Sequence, residues 1–147
     1  MSVTLDASVL LAARFAAEPH HGEAERALRA LIESGEPLVL PTLALVEISA
    51  AVARKCGRAD RAEEAVAALR KLPNQSAMPL TESVAHEAAG IAARRGLRGA
   101  DAVYAATAHL TGSVLLTLDK ELRRRTGNSI PCQTPAEWLG DRPDSAE

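Results

Sequence analysis

The sequence has 147 residues and a formal net charge of −2, which fits a single domain and argues against a protein that coats nucleic acid by charge alone. With 47% hydrophobic and 24% charged residues, the chain can bury a substantial core. Its few aromatic side chains, Phe15, Tyr104 and Trp138, argue against a platform on which bases stack.

The sequence also predicts the compartment. No basic segment leads into an apolar stretch at the N-terminus, so no signal peptide is expected. The apolar segment 38–46 is interrupted by Pro41 and is too short to span a bilayer. Cys56 and Cys132 match neither a metal-ligand spacing nor a disulfide framework, which indicates free thiols. A soluble cytoplasmic protein without membrane contact is therefore predicted.

Short apolar runs alternate with segments of helical period along the chain. Strands are predicted at 3–5, 38–40, 77–80 and 114–116, with a short fifth strand near Ile130. Helices are predicted at 9–15, from 20 or 21 to about 33, 41–55, 58–72, 81–95, 100–111, 119–126 and 135–139. This alternation predicts one α/β domain over residues 1–140, with a central parallel sheet of four or five short strands flanked by helices on both faces. Residues 141–147 are predicted to form a flexible C-terminal tail.

The helix predicted at 41–55 differs from the others. Its proline suits the first helical turn, where a missing N–H costs nothing. The segment is apolar nearly all round, so it is expected to be buried on most sides or used in an interface. Helix 58–72 is amphipathic, and together the two are expected to form a helical hairpin.

Four carboxylates interrupt stretches that are otherwise apolar. Asp6 is the only charged side chain in residues 1–13, and Glu47 is the only one in 41–53. Asp101 lies in the first turn of the helix before strand four, and Asp119 follows that strand. Because ligands bind beyond the carboxyl ends of strands in open α/β sheets, these acids are expected at one edge of the sheet.

Each acid also has a simpler explanation. Asp6, Asp101 and Asp119 could cap helices or interact with their dipoles, and Glu47 could pair with a buried arginine. One shared cause explains all four better: a divalent cation, Mg²⁺ or Mn²⁺, held by carboxylate oxygens. Near them lie two hydroxyl side chains, Ser8 and Thr117, which are expected either to support the carboxylates or to cap the backbone.

At these residues the chain resembles PIN-domain ribonucleases, and specifically VapC-type toxins of type II toxin–antitoxin pairs. The matching segments are TLDASVLLAARF (4–15), LPTLALVEISAAVARK (40–55) and GADAVYAATAHLTGSVLLTLDKEL (99–122). A weaker match is PAEWL (135–139). Each motif is loose by itself, but the four acids in their contexts are specific together.

The resemblance implies a PIN-like fold and an endoribonuclease that depends on Mg²⁺ or Mn²⁺. It assigns metal-binding and catalytic roles to Asp6, Glu47, Asp101 and Asp119, with Ser8 and Thr117 in support. It also implies a homodimer and a cognate VapB-type antitoxin. The segment 57–80 carries no family motif, so the RNA substrate and its cleavage sequence stay open.

Arginines flank the stretch that contains Asp101 and Asp119. The candidates for guiding an RNA backbone are Arg94, Arg95, Arg98, Arg123 and Arg124, the last two within an Arg123–Arg125 run. A solvated helix face explains the same arginines equally well.

Three other functions fit parts of the sequence. A ribonuclease with histidine acid–base groups would need His20, His21, His86 or His109, but none is in a recognisable constellation, and His109 is expected to be half-buried. A phosphoryl-accepting signalling domain would need paired acids after strand one and a lysine after the last strand, and both are missing here. A non-catalytic module for partner binding or dimerisation would use the apolar helix but would leave Glu47 unexplained.

Overall fold

A parallel five-stranded sheet forms the centre of the computed structural model, which describes residues 1–142. The strands are β1 (Val3–Leu5), β2 (Leu38–Pro41), β3 (Gln75–Met78), β4 (Val114–Leu116) and β5 (Cys132–Gln133). The helices are α1 (Ala7–Arg14), α2 (His21–Ser34), α3 (Leu43–Cys56), α4 (Ala59–Arg70), α5 (Glu82–Arg95), α6 (Gly99–Thr111), α7 (Lys120–Thr126) and α8 (Pro135–Gly140). The predicted α/β class and parallel sheet are confirmed.

The strand order β3-β2-β1-β4-β5 creates a switch point between β1 and β4. From β1 the chain moves outward to β2 and β3, then returns to place β4 on the other side of β1. Leu5 pairs with Leu116 at the carboxyl ends of these two strands, and the N–H of Asp6 donates to the carbonyl of Leu116 at 3.0 Å. Ligand crevices of open α/β sheets form at such a point.

Helices cover both faces of the sheet's centre. Every residue of β1 and β2 is buried, and because successive side chains point to opposite faces, neither face is open there. Helix α6 packs across β1, β2 and β4, and its residues 102–108 are all buried. Since α6 leads directly into β4 through the left-handed turn at Gly112, its N-terminus lies at the carboxyl edge of the sheet.

The structure corrects several predicted boundaries. Pro41 ends β2 instead of opening α3, and it is buried in the sheet. Strand β3 begins at Gln75 rather than at 77, because polar Gln75 and Ser76 pair with β2 at an edge that has no apolar signature. The strand expected near Ile130 lies at 132–133, while Ile130 itself packs in the core. Helix α1 starts two residues earlier than predicted, directly after Asp6.

Surface expectations were met in part. Helix α3 buries only one stripe, Ala44, Ile48 and Val52, and leaves Val46 65% exposed. The side chain of His109 is exposed rather than half-buried. Within residues 1–142, no helix combines the length and the apolar character needed to cross a membrane.

The predicted tail, 141–147, begins with two described residues. Arg142 pairs with Glu36, in the loop between α2 and β2, and lies over the Trp138 ring, 4.1 Å from its centroid. The rest of the predicted tail, residues 143–147, lies outside the described part of the chain.

Candidate metal centre

Asp6 is the most enclosed of the four predicted acids. It is 6% exposed, and its Oδ2 accepts hydrogen bonds from Ser8 Oγ and Thr117 Oγ1, each at 2.7 Å. Asp6 occupies the N-cap position of α1 but makes no side-chain cap, so capping does not explain it. Burial raises the pKa of Asp6 above its ordinary value, the two hydroxyls oppose that shift, and the charge of Asp119 adds to it.

The two hydroxyls join β1 to the segment after β4. Ser8 Oγ accepts from the N–H of Leu118 at 3.1 Å, and Thr117 Oγ1 accepts from the N–H of Asp119 at 3.0 Å. Each hydroxyl therefore both donates to Asp6 and fixes the backbone that leads to Asp119. Within the described residues no side chain donates to Oδ1 of Asp6, which leaves this oxygen for another ligand.

Asp119 does cap a helix. Its Oδ1 accepts from the backbone N–H groups of Glu121 and Leu122 at 2.9 and 3.1 Å, in the first turn of α7. The capping explanation is correct for this acid, and it accounts for one carboxylate oxygen. The cap also holds the carboxylate beside the carboxyl end of β4.

Glu47 lies in the second turn of α3 and has no buried arginine partner among the described residues. Its Oε1 is buried without a hydrogen bond, as is the hydroxyl of Tyr104 on α6. The two groups lie close enough to influence one another, although they do not meet hydrogen-bond geometry. Burial raises the pKa of Glu47, the Tyr104 hydroxyl opposes the shift, and the charge of Asp6 adds to it.

Asp101 lies in the first turn of α6, and the N-cap position belongs to Arg98, so Asp101 is not a cap. Burial raises the pKa of its carboxyl to about 6, and the charges of Asp119, Asp6 and Glu47 all add to the shift. The positive charge of Arg98 opposes this rise in the pKa of Asp101. The four acids, from four separate segments, therefore share one electrostatic environment.

A cavity of about 180 Å³ opens beside this group, with Asp101 and Asp119 in its wall. The rest of its lining is contributed by Gly96, Leu97, Arg98, Glu121 and Arg125. A second cavity of similar volume is apolar, lies among α1, α2, α3 and α4, and contains none of the acids. The polar cavity is the one placed for chemistry with charged ligands.

The predicted arginines do not form one group. Arg98 lines the polar cavity, whereas Arg124 pairs with Glu121 at 2.7 Å and Arg123 pairs with Glu137 at 3.3 Å. Arg95 donates to Ser129 on the far side of the turn after α7. For Arg94 the structure shows an exposed side chain that folds back toward Gly90 of its own helix. Arg98 is thus the candidate that lies at the acids.

The donor set fits a hard divalent cation, because it offers carboxylate oxygens and hydroxyls. The carboxylate of Glu47, which is buried with Oε1 unpaired, and the carboxylate of Asp6, whose Oδ1 receives no side-chain hydrogen bond among the described residues, are groups that such an ion would neutralise. Within residues 1–142, however, no three His, Cys, Asp or Glu side chains lie close enough together to hold an ion as they stand. Mg²⁺ usually keeps several waters and takes only one or two carboxylates directly.

Comparison with known proteins places the chain in a family. A family model of the PIN domain matches residues 3–128, which include all four acids and β1 to β4. The chain belongs to the PIN-domain family. No curated protein matched the sequence at a significant level.

Solved structures show the same fold as this PIN domain. The VapBC2 complex of Rickettsia felis, bound to a DNA fragment from its promoter, matches with a TM-score of 0.69 at 13% identity, over 91% of this chain and 98% of that chain. VapC20 of Mycobacterium tuberculosis, a toxin that cleaves the sarcin–ricin loop, matches with a TM-score of 0.70 at 23% identity, over 88% of this chain and 98% of that chain. FitAcB of Neisseria gonorrhoeae matches with a TM-score of 0.70 at 19% identity, over 91% of this chain and 98% of that chain. The fold is that of the VapC-type toxins.

Two residues at the site were not among the sequence candidates. Arg125 belongs to the noted arginine run, but the sequence did not indicate that it, rather than Arg123, lines the polar cavity. Tyr104 is the only tyrosine of the chain and lies three residues after Asp101, a spacing that places both on one face of a helix. That spacing was the available signal for Tyr104.

Proposed function

We propose that this PIN domain is a metal-dependent endoribonuclease and the toxin of a toxin–antitoxin pair. The observation that carries the proposal is the convergence of four carboxylates at the switch point: burial raises the pKa of Asp101, and the charges of Asp119, Asp6 and Glu47 add to the shift. Like charges repel, so a protein that gathers four carboxylates gains most from a cation between them. The family and the neighbours, among them toxin–antitoxin complexes, support the same function.

Asp6, Glu47, Asp101 and Asp119 would hold Mg²⁺ or Mn²⁺ at the carboxyl edge of the sheet. When bound, such an ion supplies a water of lowered pKa and positive charge for the phosphodiester. Ser8 and Thr117 keep the Asp6 carboxylate fixed and ionisable. Because water rather than the ribose 2′-hydroxyl is the nucleophile, the expected products carry a 5′-phosphate and a 3′-hydroxyl.

The RNA backbone would enter along the polar cavity. Arg98 and Arg125 line it next to Asp101 and Asp119, and neither forms an ion pair with those two acids. Positive charge there offsets the repulsion between phosphates and the acids. Arg123, Arg124 and Arg125 are all paired with glutamates, whereas Arg98 forms no ion pair among the described residues, so Arg98 is the strongest candidate for this role.

The partners follow from the same proposal. We infer a cognate VapB-type antitoxin, since several similar structures are complexes of a toxin with its antitoxin. We also propose a homodimer, and the exposed apolar side chain of Val46, next to Glu47 on α3, supports this proposal. A cytoplasmic location fits an RNA substrate.

The histidine mechanism gains no support from the placement of its residues. His20 and His21 lie at the start of α2 beside Glu23 and Glu25, and His109 is exposed beside Glu87. None of the histidines lines the polar cavity. The non-catalytic module remains the alternative that the following experiment decides.

The test expresses the chain alone, as wild type and as Asp6→Asn, and maps the 5′ ends of cellular RNA. Wild type is expected to produce discrete new ends with 5′-phosphates, and purified protein should stop cleaving when EDTA removes divalent ions. Asp6→Asn is expected to lose at least about 100-fold in rate, because even the loss of a partner of a metal ligand costs about 10–100-fold. Asp60→Asn, on exposed α4, serves as the matched control.

Two outcomes contradict the proposal. Cleavage that survives complete metal removal excludes the metal mechanism. A folded Asp6→Asn variant that cleaves like wild type favours the non-catalytic module instead. Circular dichroism in EDTA checks that both variants are folded, so loss of structure does not imitate loss of chemistry.

A further inference from the structure

Tyr104 carries a polar group that the proposed chemistry does not use. Its side chain is 1% exposed, and its hydroxyl has no hydrogen-bond partner among the described residues. Oε1 of Glu47 is buried and unpaired as well, and the two groups are neighbours. Buried polar groups in folded proteins nearly always have partners, so two adjacent exceptions call for an explanation.

The position of Tyr104 connects two parts of the site. Tyr104 lies one turn after Asp101 on α6, and α6 packs across β1 and β2. Glu47 reaches the same place from α3, the helix that follows β2. The tyrosine hydroxyl therefore lies beside Glu47, on the side of the site where Asp6 also lies.

We propose that Tyr104 is a positioning residue for Glu47, whose carboxylate it binds by donating a hydrogen bond to Oε1 when the site holds a divalent cation. This rests on the proposed function. One oxygen of Glu47 is then fixed by the protein, and the other is left for the ion. The adjustment required is small, because the two groups are already adjacent in the absence of a hydrogen bond.

The chemistry of the two groups suits this role. A carboxylate that ligates a metal is commonly oriented by a further hydrogen bond, which also fixes its direction. The phenol hydroxyl is a hydrogen-bond donor, and it is buried beside the Glu47 carboxylate, which can only accept when it is ionised. A phenylalanine would fill the same core volume, and only the hydroxyl distinguishes positioning from packing.

The experiment compares Tyr104→Phe with wild type, with Thr107→Val as the matched control. Thr107 is fully buried on the same helix, and its hydroxyl donates to the carbonyl of Val103 within α6. Titration calorimetry with MnCl₂ measures metal affinity, and thermal unfolding in EDTA and in MnCl₂ measures how much the metal stabilises each protein.

Tyr104→Phe is expected to bind Mn²⁺ about 10-fold more weakly than wild type, as is typical when a partner of a metal ligand is lost. Its unfolding temperature in EDTA is expected to equal that of wild type or exceed it, because the deleted hydroxyl has no partner there. Its gain in unfolding temperature on adding MnCl₂ should be smaller. Thr107→Val is expected to unfold earlier in EDTA yet keep wild-type affinity for Mn²⁺.

The outcomes separate this inference from the proposed function. If wild type binds no Mn²⁺, the proposed metal site fails, and the role of Tyr104 fails with it. If wild type binds Mn²⁺ and Tyr104→Phe binds it equally well, only the positioning role is overturned. A Tyr104→Phe protein that loses stability in EDTA as well as in MnCl₂, with unchanged Mn²⁺ affinity, shows that the hydroxyl stabilises the metal-free fold and overturns the positioning role.

Discussion

The candidate site has two halves that differ in how they are held. In the strand half, Asp6 and Asp119 are tied to Ser8, Thr117 and backbone N–H groups by hydrogen bonds of 2.7 to 3.1 Å. In the helix half, Asp101 and Glu47 are held by the packing of α6 and α3, and Glu47 Oε1 has no hydrogen-bond partner. One half is thus held by hydrogen bonds to its carboxylates, and the other by the packing of its helices.

This difference indicates that the two halves have different roles in the site. The strand half provides a fixed carboxylate at the switch point, whose direction is determined by two hydroxyls. The helix half provides acids close to other negative charge, and burial together with the charges of the neighbouring acids raises the pKa of Asp101. Substitutions in the two halves should therefore have different signatures.

The largest effect is expected from Thr117→Val, which removes two hydrogen bonds of the strand half. Asp6 Oδ2 would lose one donor, and the N–H of Asp119 would lose its acceptor. Leaving a buried polar group unpaired costs about 1–3 kcal/mol of unfolding free energy. RNA cleavage is expected to fall about 10–100-fold. Denaturant unfolding in EDTA and single-turnover cleavage measure the two effects.

Thr4→Val is the control for that variant. Thr4 is also fully buried, in the neighbouring strand β1, but its hydroxyl has no hydrogen-bond partner among the described residues. Removing it is expected to leave stability unchanged or slightly increased. If Thr117→Val and Thr4→Val lose equal amounts of stability and of RNA cleavage, the hydrogen bond from Thr117 to Asp6 has no specific role.

An intermediate effect is expected in the helix half, from Asp101→Asn in EDTA. The folded pKa of Asp101 is raised from 3.8 to about 6, so the folded state holds the proton more tightly than the unfolded state. The stability that this carboxyl contributes is present at low pH and is lost as pH rises from about 4 to about 6. Over that range the unfolding free energy of Asp101→Asn is expected to rise relative to that of wild type, by about 1 kcal/mol after allowing for solvent screening.

Denaturant unfolding at pH 4, 5, 6 and 7 measures this gain, with Asp60→Asn as a control of opposite sign. The Arg58 hydrogen bond lowers the pKa of Asp60, so wild-type Asp60 stabilises the fold above that pKa. Its replacement is expected to lower stability slightly toward neutral pH. A gain for Asp101→Asn that does not change with pH would contradict the raised pKa of Asp101.

The smallest effect is expected from Arg98→Ala, which tests the charge beside the helix half. In an Asp6→Asn background, which prevents cleavage, RNA affinity should fall a few-fold. The slope of log K against log salt should decrease by about 0.7, the value for one phosphate contact on a single strand. Arg29→Ala, an exposed arginine paired with Glu25 on α2, should leave the slope unchanged. Equal slopes for all three proteins would remove Arg98 from the RNA path.

The sequence carried much of the fold because its signals were local and strong. The apolar runs at β1, β2 and β4 lie in the centre of the sheet, where burial on both faces requires continuous hydrophobicity. Edge strands β3 and β5 were misplaced by about two residues, since exposed strands need no such pattern. Pro41 was misplaced for a related reason: a proline can end a strand as well as open a helix.

For the site, isolated acids in apolar surroundings were a sufficient signal to select four residues that share one electrostatic environment. Their surroundings could not be derived in the same way. The neighbour of Glu47 is a tyrosine from α6 rather than an arginine, and which member of the Arg123–Arg125 run faces the cavity depends on how α7 is rotated. Both are tertiary facts that sequence spacing does not determine.

The bond between Thr117 and Asp6 spans 111 positions of the chain. Two strands that are neighbours in the sheet are thus far apart in the order of synthesis, and their pairing closes a very long loop. A ribosome-bound chain that stops before β4 has Asp6 but neither hydroxyl-bearing Thr117 nor Asp119. For the proposed ribonuclease, incomplete nascent chains would therefore be harmless to the RNA around them, and activity would begin only after most of the domain has emerged.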